Sequence, residues 1–439
     1  MADAPAPLDA RDEPLPPLGP SDRDADIAIV GAGVIGLTIA LRLVHDDPAR
    51  RIVVIDREGI AAGASRGNAG AYAFSDIQPL ASPGILRQSP RWLLDPLGPL
   101  ALRPAYLLRS APWLWRFWRA SRADRVAAGT AVQARLNNLS AEETPRLLAL
   151  IDAASMWHED GNVHLFESEA EWQASLPGWR QRADHGIAFE HAHGAQAIAR
   201  WQPGLSPRFV AATFVPRWAT IDDPLRLVQR IAAHAAARGV LLRRAAAEAL
   251  VPQTTSVELR LAGGGALRAR QVVVAAGAWS HLLARTLGER IPLETERGYN
   301  TTLPPGAFEL RRQLTFPAHG FVVTPIAGGV RVGGAVELAG LAAPPNFARS
   351  DALLAKAKRF LPALRTEGGT RWMGFRPSLP DSLPAIGHAR ADARIIYAFG
   401  HGHLGLTQSA ATAQLVAGLI NGRALPPELA GLSPQRFAR

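Results

Sequence analysis

The chain has 439 residues, no cysteine, 48% apolar residues and a formal charge of +10. The length predicts two or three domains, and the missing thiols exclude disulfides, thiolate metal sites, a catalytic cysteine and any cysteine-linked cofactor. Basic residues are nearly all Arg, with Lys356 and Lys358 the only lysines, and they are spread along the chain. That distribution argues against a nucleic-acid-binding stripe and leaves a diffuse positive field that favours anionic small molecules and anionic lipid.

The first 24 residues are rich in Pro, Asp and Ala, lack an apolar signal core, and are expected to be a disordered tail. No apolar run approaches the ~18 residues of a membrane span, so the expected location is cytoplasmic. DIAIV (26–30) then reads as a buried strand, followed at once by Gly31-Ala32-Gly33-Val34-Ile35-Gly36 and an apolar stretch with helical spacing. The strand RIVVID ends at Asp56, about 20 residues further on, which completes a strand–glycine loop–helix–strand–acid unit for binding a dinucleotide. In that unit Gly31 permits the tight turn, Gly33 lets the backbone approach a pyrophosphate, and Gly36 lets helix and strand pack. The helix N-terminus offers N–H groups and a positive dipole end to the phosphates. Asp56, followed by Arg57, accepts from ribose hydroxyls and disfavours a 2′-phosphate.

A second glycine-rich stretch, REGIAAGASRGNAGAYAF, follows directly. NAD does not require it, whereas the longer FAD does, because more backbone must come close to the ligand. Residues 100–125 interleave Trp113, Trp115, Phe117 and Trp118 with six arginines. They read either as a helix pair split at Pro112 that packs on the core, or as a basic amphipathic segment lying on an anionic membrane surface. NVHLFES and AEWQASLPGWRQRA are a strand and a helix. PLRLVQRIAAHAAAR is an amphipathic helix with Leu225, Val228, Ile231 and Ala232 on one side. EALV, SVELRLA and ALRARQ form a small meander before the buried strand VVVAAGAWS. Strands follow around RGYNTTL, GFVVTPI and GVRVGGAVEL, and the chain closes with strand IIYAFG, loop HGHLGLT and helix QSAATAQLVAGLI. His401 and His403 have no carboxylates at ligand spacing, so no metal site is expected.

The stretches DIAIVGAGVIGLTIALRL, GASRGNAG, VVVAAGAWS, ERGYNTTL, RWMGFRPSLPDSLPAIG and FGHGHLGLTQSAATAQLVAGLI together resemble the D-amino-acid oxidase superfamily of flavoproteins. Within it they are most similar to bacterial D-amino-acid dehydrogenases, including the branch acting on D-proline and cis-4-hydroxy-D-proline. The resemblance covers residues 25–423. It implies an α/β fold: a Rossmann-like FAD-binding domain of the glutathione-reductase type with an inserted α+β substrate domain built on an antiparallel sheet. The first is expected from residues 25–85, 200–290 and 372–439, the second from 86–199 and 291–371. It also implies that Gly31, Gly33, Val34, Ile35, Gly36, Asp56 and Arg57 hold the ADP half of FAD. Ala64, Ser65, Asn68, Ala69 and Gly70 would lie along the pyrophosphate and flavin, Ala276 and Gly277 by the adenine. Gly402, His403, Leu404, Gly405 and Leu406 would meet the flavin ring, with the helix from Thr407 aimed at its N1–C2=O edge.

In this resemblance Arg376, in the GxRP motif, grips the substrate carboxylate through a bidentate charged pair. Tyr299 would sit near the substrate amine or carboxylate, Arg297 would be a second anion contact, and His401 would line the site. His403 and Leu406 depart from the commonest pattern of the relatives, which have a small or hydroxyl residue and an aromatic there. The implied reaction is oxidative deamination of a D-amino or D-imino acid by hydride transfer from Cα to flavin N5. Electrons would pass to a quinone or another acceptor, with peripheral membrane contact. Two other readings remain: a glycine- or sarcosine-type amine oxidase using O₂, and an FAD-binding subunit of a multi-component amine or opine dehydrogenase.

Overall fold

Short Ile- and Val-rich runs build the first layer. Leu241–Arg244, Ile52–Asp56, Asp24–Val30, Ala266–Val274 and Ile395–Phe399 lie side by side and parallel in that order. The computed structural model describes residues 14–82, 98, 100–103, 106–327 and 329–438. Parallel strands are covered on both faces, which is why these runs are apolar throughout. Ile27 and Ile29 point to the helices Val34–Asp46, Pro224–Ala236 and Gly405–Ile420, while Ala28 and Val30 point to a second core under the antiparallel meander. The helix Pro224–Ala236 starts on Asp223, whose side chain accepts the Leu225 and Arg226 N–H groups, with proline in its first turn. The meander and the parallel sheet share one strand. Ala266–Ala269 pairs antiparallel with Val257–Arg260, and Val272–Val274 continues parallel to Ile395–Tyr397.

The second layer has nine described strands. Their order is Thr370–Ser378, Glu294–Leu303, Gly329–Leu338, Phe321–Ile326, Gln313–Phe316, Asn162–Phe166, Ala211–Val215 and Glu190–His193, with Leu100–Leu102 beside Gly329–Leu338. Pairing is antiparallel except where Gln313–Phe316 meets Asn162–Phe166 and where Leu100–Leu102 meets Gly329–Leu338. One face packs on the helix Ala348–Phe360 through Leu353, Ala357 and Phe360. Ala211–Val215 and the whole of Thr370–Ser378 pair in this sheet, so it draws on the 200–290 and 372–439 stretches that the sequence reading assigns to the nucleotide layer. An apolar five-residue run carries no mark of which sheet will take it.

Two expectations change. Residues 14–24 are not a free tail: Leu15 is buried, the Arg244 N–H donates to Pro16 O, and Asp22 pairs with Arg243 at 2.6 Å. They cover the outer edge of the parallel sheet, where an uncovered strand would present unpaired backbone. Residues 1–13 lie outside the described set, as do 83–97 of the stretch between the layers. Second, Pro112 does not split a helix pair, because Leu107–Ala120 is one helix with Pro112 inside it. Pro112 has no N–H for the Leu108 carbonyl, and it lies where the helix is exposed, Leu108 being 89% exposed. Among the described residues no helix is long and apolar enough to cross a membrane.

Candidate active site

A cavity of about 940 Å³ is lined from both sheets. Gly31, Gly33, Val34, Ile35, Asp56 and Arg57 form one end. Gly31 has φ +115°, and a Cβ there would collide with the Ala275 carbonyl. Gly36 does not reach the cavity; its Cβ would strike the Gly31 carbonyl, so this glycine seats the helix against the loop. The Asp56 carboxylate accepts the Ala32 N–H at 2.9 Å and the Glu58 and Gly59 N–H groups, which fixes it at the end of its strand. Arg57 lies 3.7 Å over the Trp279 ring, and Ala276 and Gly277 complete this end.

Ala64, Ser65, Asn68 and Ala69 line the middle of the cavity, and Ser65 Oγ accepts the Val34 N–H at 3.0 Å. Gly63 and Gly67 of this stretch line the cavity, as expected of backbone that approaches a ligand. Two of its glycines answer packing as well: a Cβ on Gly67 would enter the Trp372 ring, and Gly70, at φ +66° and behind the cavity wall, would meet the Ile221 carbonyl. Asn300 Nδ2 donates to Gly67 O at 2.7 Å, and Arg331 Nη1 to Asn68 O at 2.5 Å. Gly402, His403, Leu404, Gly405 and Leu406 also line the cavity, and the helix Gly405–Ile420 starts there with its N-terminus at the wall. Thr407 stands behind that wall: its Oγ1 accepts from Ala73 N–H and donates to Ala71 O, tying the first helical turn to the middle segment.

Strand alternation decides the fate of the four expected catalytic residues. In Glu294–Leu303, Glu296, Gly298 and Asn300 share one face, and Arg297 and Tyr299 the other. Arg376 is opposite Glu296 in the neighbouring strand and lines the cavity, its guanidinium filling the space that a Cβ on Gly298 would need. Arg376 Nη1 donates to Ala335 O at 2.9 Å. Burial lowers its pKa, and the Glu296 charge works in the opposite direction. Arg297 is no anion contact here. It is fully buried on the far face, with Nε and Nη2 donating to Gly340 O and Nη1 to Pro344 O. Tyr299 borders the cavity, but its hydroxyl turns away, donating to Glu337 at 2.5 Å and accepting the Asn346 N–H. His401 is buried, with Nε2 2.9 Å from Thr412 Oγ1, and burial pushes its pKa down to about 3. It borders the cavity, as expected, with its Nε2 engaged by Thr412.

The structure also assembles a cluster that the sequence reading missed. His403 Nε2 lies 3.1 Å from Asp76 Oδ2, and Arg182 Nη2 lies 3.7 Å from Asp76 Oδ1. Burial opposes ionisation of Asp76, yet the His403 hydrogen bond and the His403 and Arg182 charges hold its pKa below the usual carboxylate value. Arg182 donates to Gln78 and to the carbonyls of Ser75 and Gly178. His164, buried and pushed down to about 3, completes the wall. These residues come from positions up to 327 apart, and no local spacing signals them. The one sequence cue available was the Glu296-Gly298-Asn300 alternation, which places Arg297 and Tyr299 on the other face.

The cavity fits FAD. Its volume lies in the range of cofactor sites, glycines line one end, and two helix N-termini reach its wall. Asn300 Oδ1 and Ser75 Oγ are buried at the wall without a partner among the described residues, positions a polar ligand would satisfy. A parallel nucleotide-binding sheet joined through one cavity to a largely antiparallel sheet bearing an arginine on the cavity face defines a two-domain flavin-dependent oxidoreductase. Residues 26–419 match the family described as DAO, FAD dependent oxidoreductase, and the chain belongs to that family. It is 36% identical over 430 residues to a D-amino-acid oxidase of Bradyrhizobium diazoefficiens, covering 94% of this chain and 98% of the relative. It is 31% identical over 424 residues to a D-amino acid dehydrogenase of Xylella fastidiosa, covering 94% and 95%. Among solved structures, glycine oxidase from Geobacillus kaustophilus superposes with a TM-score of 0.73 at 20% identity, covering 95% of this chain and all of that one. L-Proline dehydrogenase from P. horikoshii gives 0.71 at 17% identity, covering 96% and 98%.

Proposed function

We propose that this FAD-dependent oxidoreductase oxidises a D-amino or D-imino acid at Cα, with Arg376 holding the substrate carboxylate. The observation that carries this reading is the half-buried Arg376 guanidinium on the cavity face, over a residue that must be glycine to admit it. A planar guanidinium pairs with a carboxylate through two parallel hydrogen bonds, so it sets orientation as well as affinity. Bound FAD supplies the acceptor for the hydride equivalent that leaves Cα. The Glu296 charge beside Arg376 favours the charged guanidinium against the cost of its partial burial. The far-face network of Arg297, Tyr299 and Glu337 holds the strand that carries Gly298. The names of the relatives and the GFRPSLPD motif support the amino-acid class. Within it, D-proline and cis-4-hydroxy-D-proline are the first candidates on the resemblance of the motif set.

The helix Leu107–Ala120 supports delivery of electrons at a membrane. Leu108, Ala111, Trp115 and Trp118 repeat at helical spacing and are all exposed, with Arg109 and Arg119 exposed beside them. Such a stripe suits an anionic lipid surface.

The test is anaerobic addition of D-proline, cis-4-hydroxy-D-proline, D-alanine, sarcosine and the L-counterparts to purified holoenzyme. Bleaching of the flavin absorbance by a D-compound is the expected result. Bleaching by sarcosine alone moves the reading to an amine oxidase, and bleaching by none of them overturns the substrate class. Peroxide release in air then separates oxidase from dehydrogenase.

A further inference from the structure

His403 and Asp76 form a paired imidazole and carboxylate on the wall of the cavity that also holds Arg376. One hydrogen bond links the two places: Gly402 N–H donates to Pro377 O at 2.8 Å, so His403 follows directly from the residue that touches the neighbour of Arg376. The His403 side chain is 34% exposed, and its second nitrogen, Nδ1, has no partner among the described residues. An ionised Asp76 accepts from Nε2–H. That fixes the tautomer and leaves Nδ1 as the lone-pair nitrogen whenever the ring is neutral. The charged and titratable groups packed around the pair are Arg182 from the helix Glu169–Asp184 and His164 from the strand Asn162–Phe166. The His403 hydrogen bond, and after it the Arg182 charge, favour the ionised Asp76, and desolvation disfavours a charge on His164, so the cluster carries a carboxylate to orient His403.

We propose that His403, oriented by Asp76, is the base that takes a proton from the substrate ammonium before oxidation. The proposal rests on the amino-acid reading above. An α-amino acid arrives largely as its ammonium form, and nitrogen must hold a free electron pair before a C=N bond can form. One N–H bond breaks, its proton goes to His403 Nδ1, and its electron pair stays on nitrogen. The Cα–H bond then breaks with its electron pair leaving as hydride to bound FAD, and the nitrogen pair forms the C=N bond of the iminium product. His403 returns the proton to solvent. With its carboxylate on Arg376, the substrate would turn its amine toward the loop that carries His403.

The experiment compares wild-type holoenzyme with His403→Gln and Asp76→Asn, measuring kcat/KM for a reducing D-amino acid from pH 6 to pH 11, with FAD content and melting temperature as controls. His403→Gln is expected to lose about 10²-fold at pH 7, the usual contribution of a general base. That deficit should close as pH rises through the pKa of the free substrate amine, where the neutral amine is supplied by solvent. Asp76→Asn, whose carbonyl still accepts from Nε2–H, should lose less with the same pH dependence. A deficit that is constant with pH, or no deficit, overturns the proton role while the amino-acid reading stands. A wild-type enzyme that no amino acid reduces overturns both.

Discussion

Arg376 and Tyr299 occupy adjacent strands and differ in which face they serve, so their variants should separate. Arg376→Ala or Arg376→Lys removes a bidentate charged contact and should lower kcat/KM about 10²-fold, mainly through KM. Wild-type kinetics in either variant would refute the carboxylate role. Tyr299→Phe removes a buried hydrogen bond to the Glu337 carboxylate on the far face. It should cost about 1.5–3 kcal/mol in urea unfolding and leave KM within a small factor; a large KM change with normal stability would return Tyr299 to the substrate site. Motif reading singled out Arg376, which lines the cavity, because its motif is written in one segment. It could not foresee that Arg297 is buried away from the cavity or that the Tyr299 hydroxyl bonds Glu337, because family likeness names residues, whereas strand pairing decides which way they point.

Elements carry the next set of consequences. The helix Leu107–Ala120 buries Ser110 and Trp113 and leaves Leu108, Trp115 and Trp118 exposed, a division composition alone could not make. Holoenzyme should sediment with vesicles containing anionic lipid, less so at high salt, and a Leu108→Ser, Trp115→Ser, Trp118→Ser variant should stay in the supernatant with its flavin chemistry unchanged. Wild type that ignores anionic vesicles would remove the membrane reading. Elsewhere the Rossmann-type unit from Asp24 to Asp56 was legible in full, since each part is local: an apolar run, a glycine turn, a helical stripe, an acid. The second glycine stretch was legible as a cavity-lining element, but not its packing against Trp372 and Ile221, which lie far along the chain from Gly67 and Gly70.

At the scale of the molecule, the cavity joins both sheets, so the ligand that fills it should couple them. Adding FAD to apoprotein should raise the melting temperature with concentration, by the equivalent of about 2.7 kcal/mol at a hundredfold excess over Kd; no shift would argue that the cavity is not the FAD site. Buried His164 and His401 give the pH dependence. Their folded pKa values, about 3, lie below the ordinary 6.5, so the unfolded chain binds more protons as pH falls. Their stabilisation is complete above pH 6.5 and is lost as pH drops from there toward 3. Urea midpoints should fall between pH 6.5 and 4, and His401→Gln should flatten that slope; an unchanged slope would mean His401 is protonated in the folded state. By itself the sequence determined the nucleotide-binding unit and FAD as the cofactor it suits, because those signals depend on neighbours within a few dozen residues. Only the tertiary structure decided the far-face role of Arg297 and Tyr299, the ordering of residues 14–24 along a sheet edge, and the meeting of Asp76, Arg182 and His403. Those depend on strand register and on contacts between segments that the chain order keeps hundreds of residues apart.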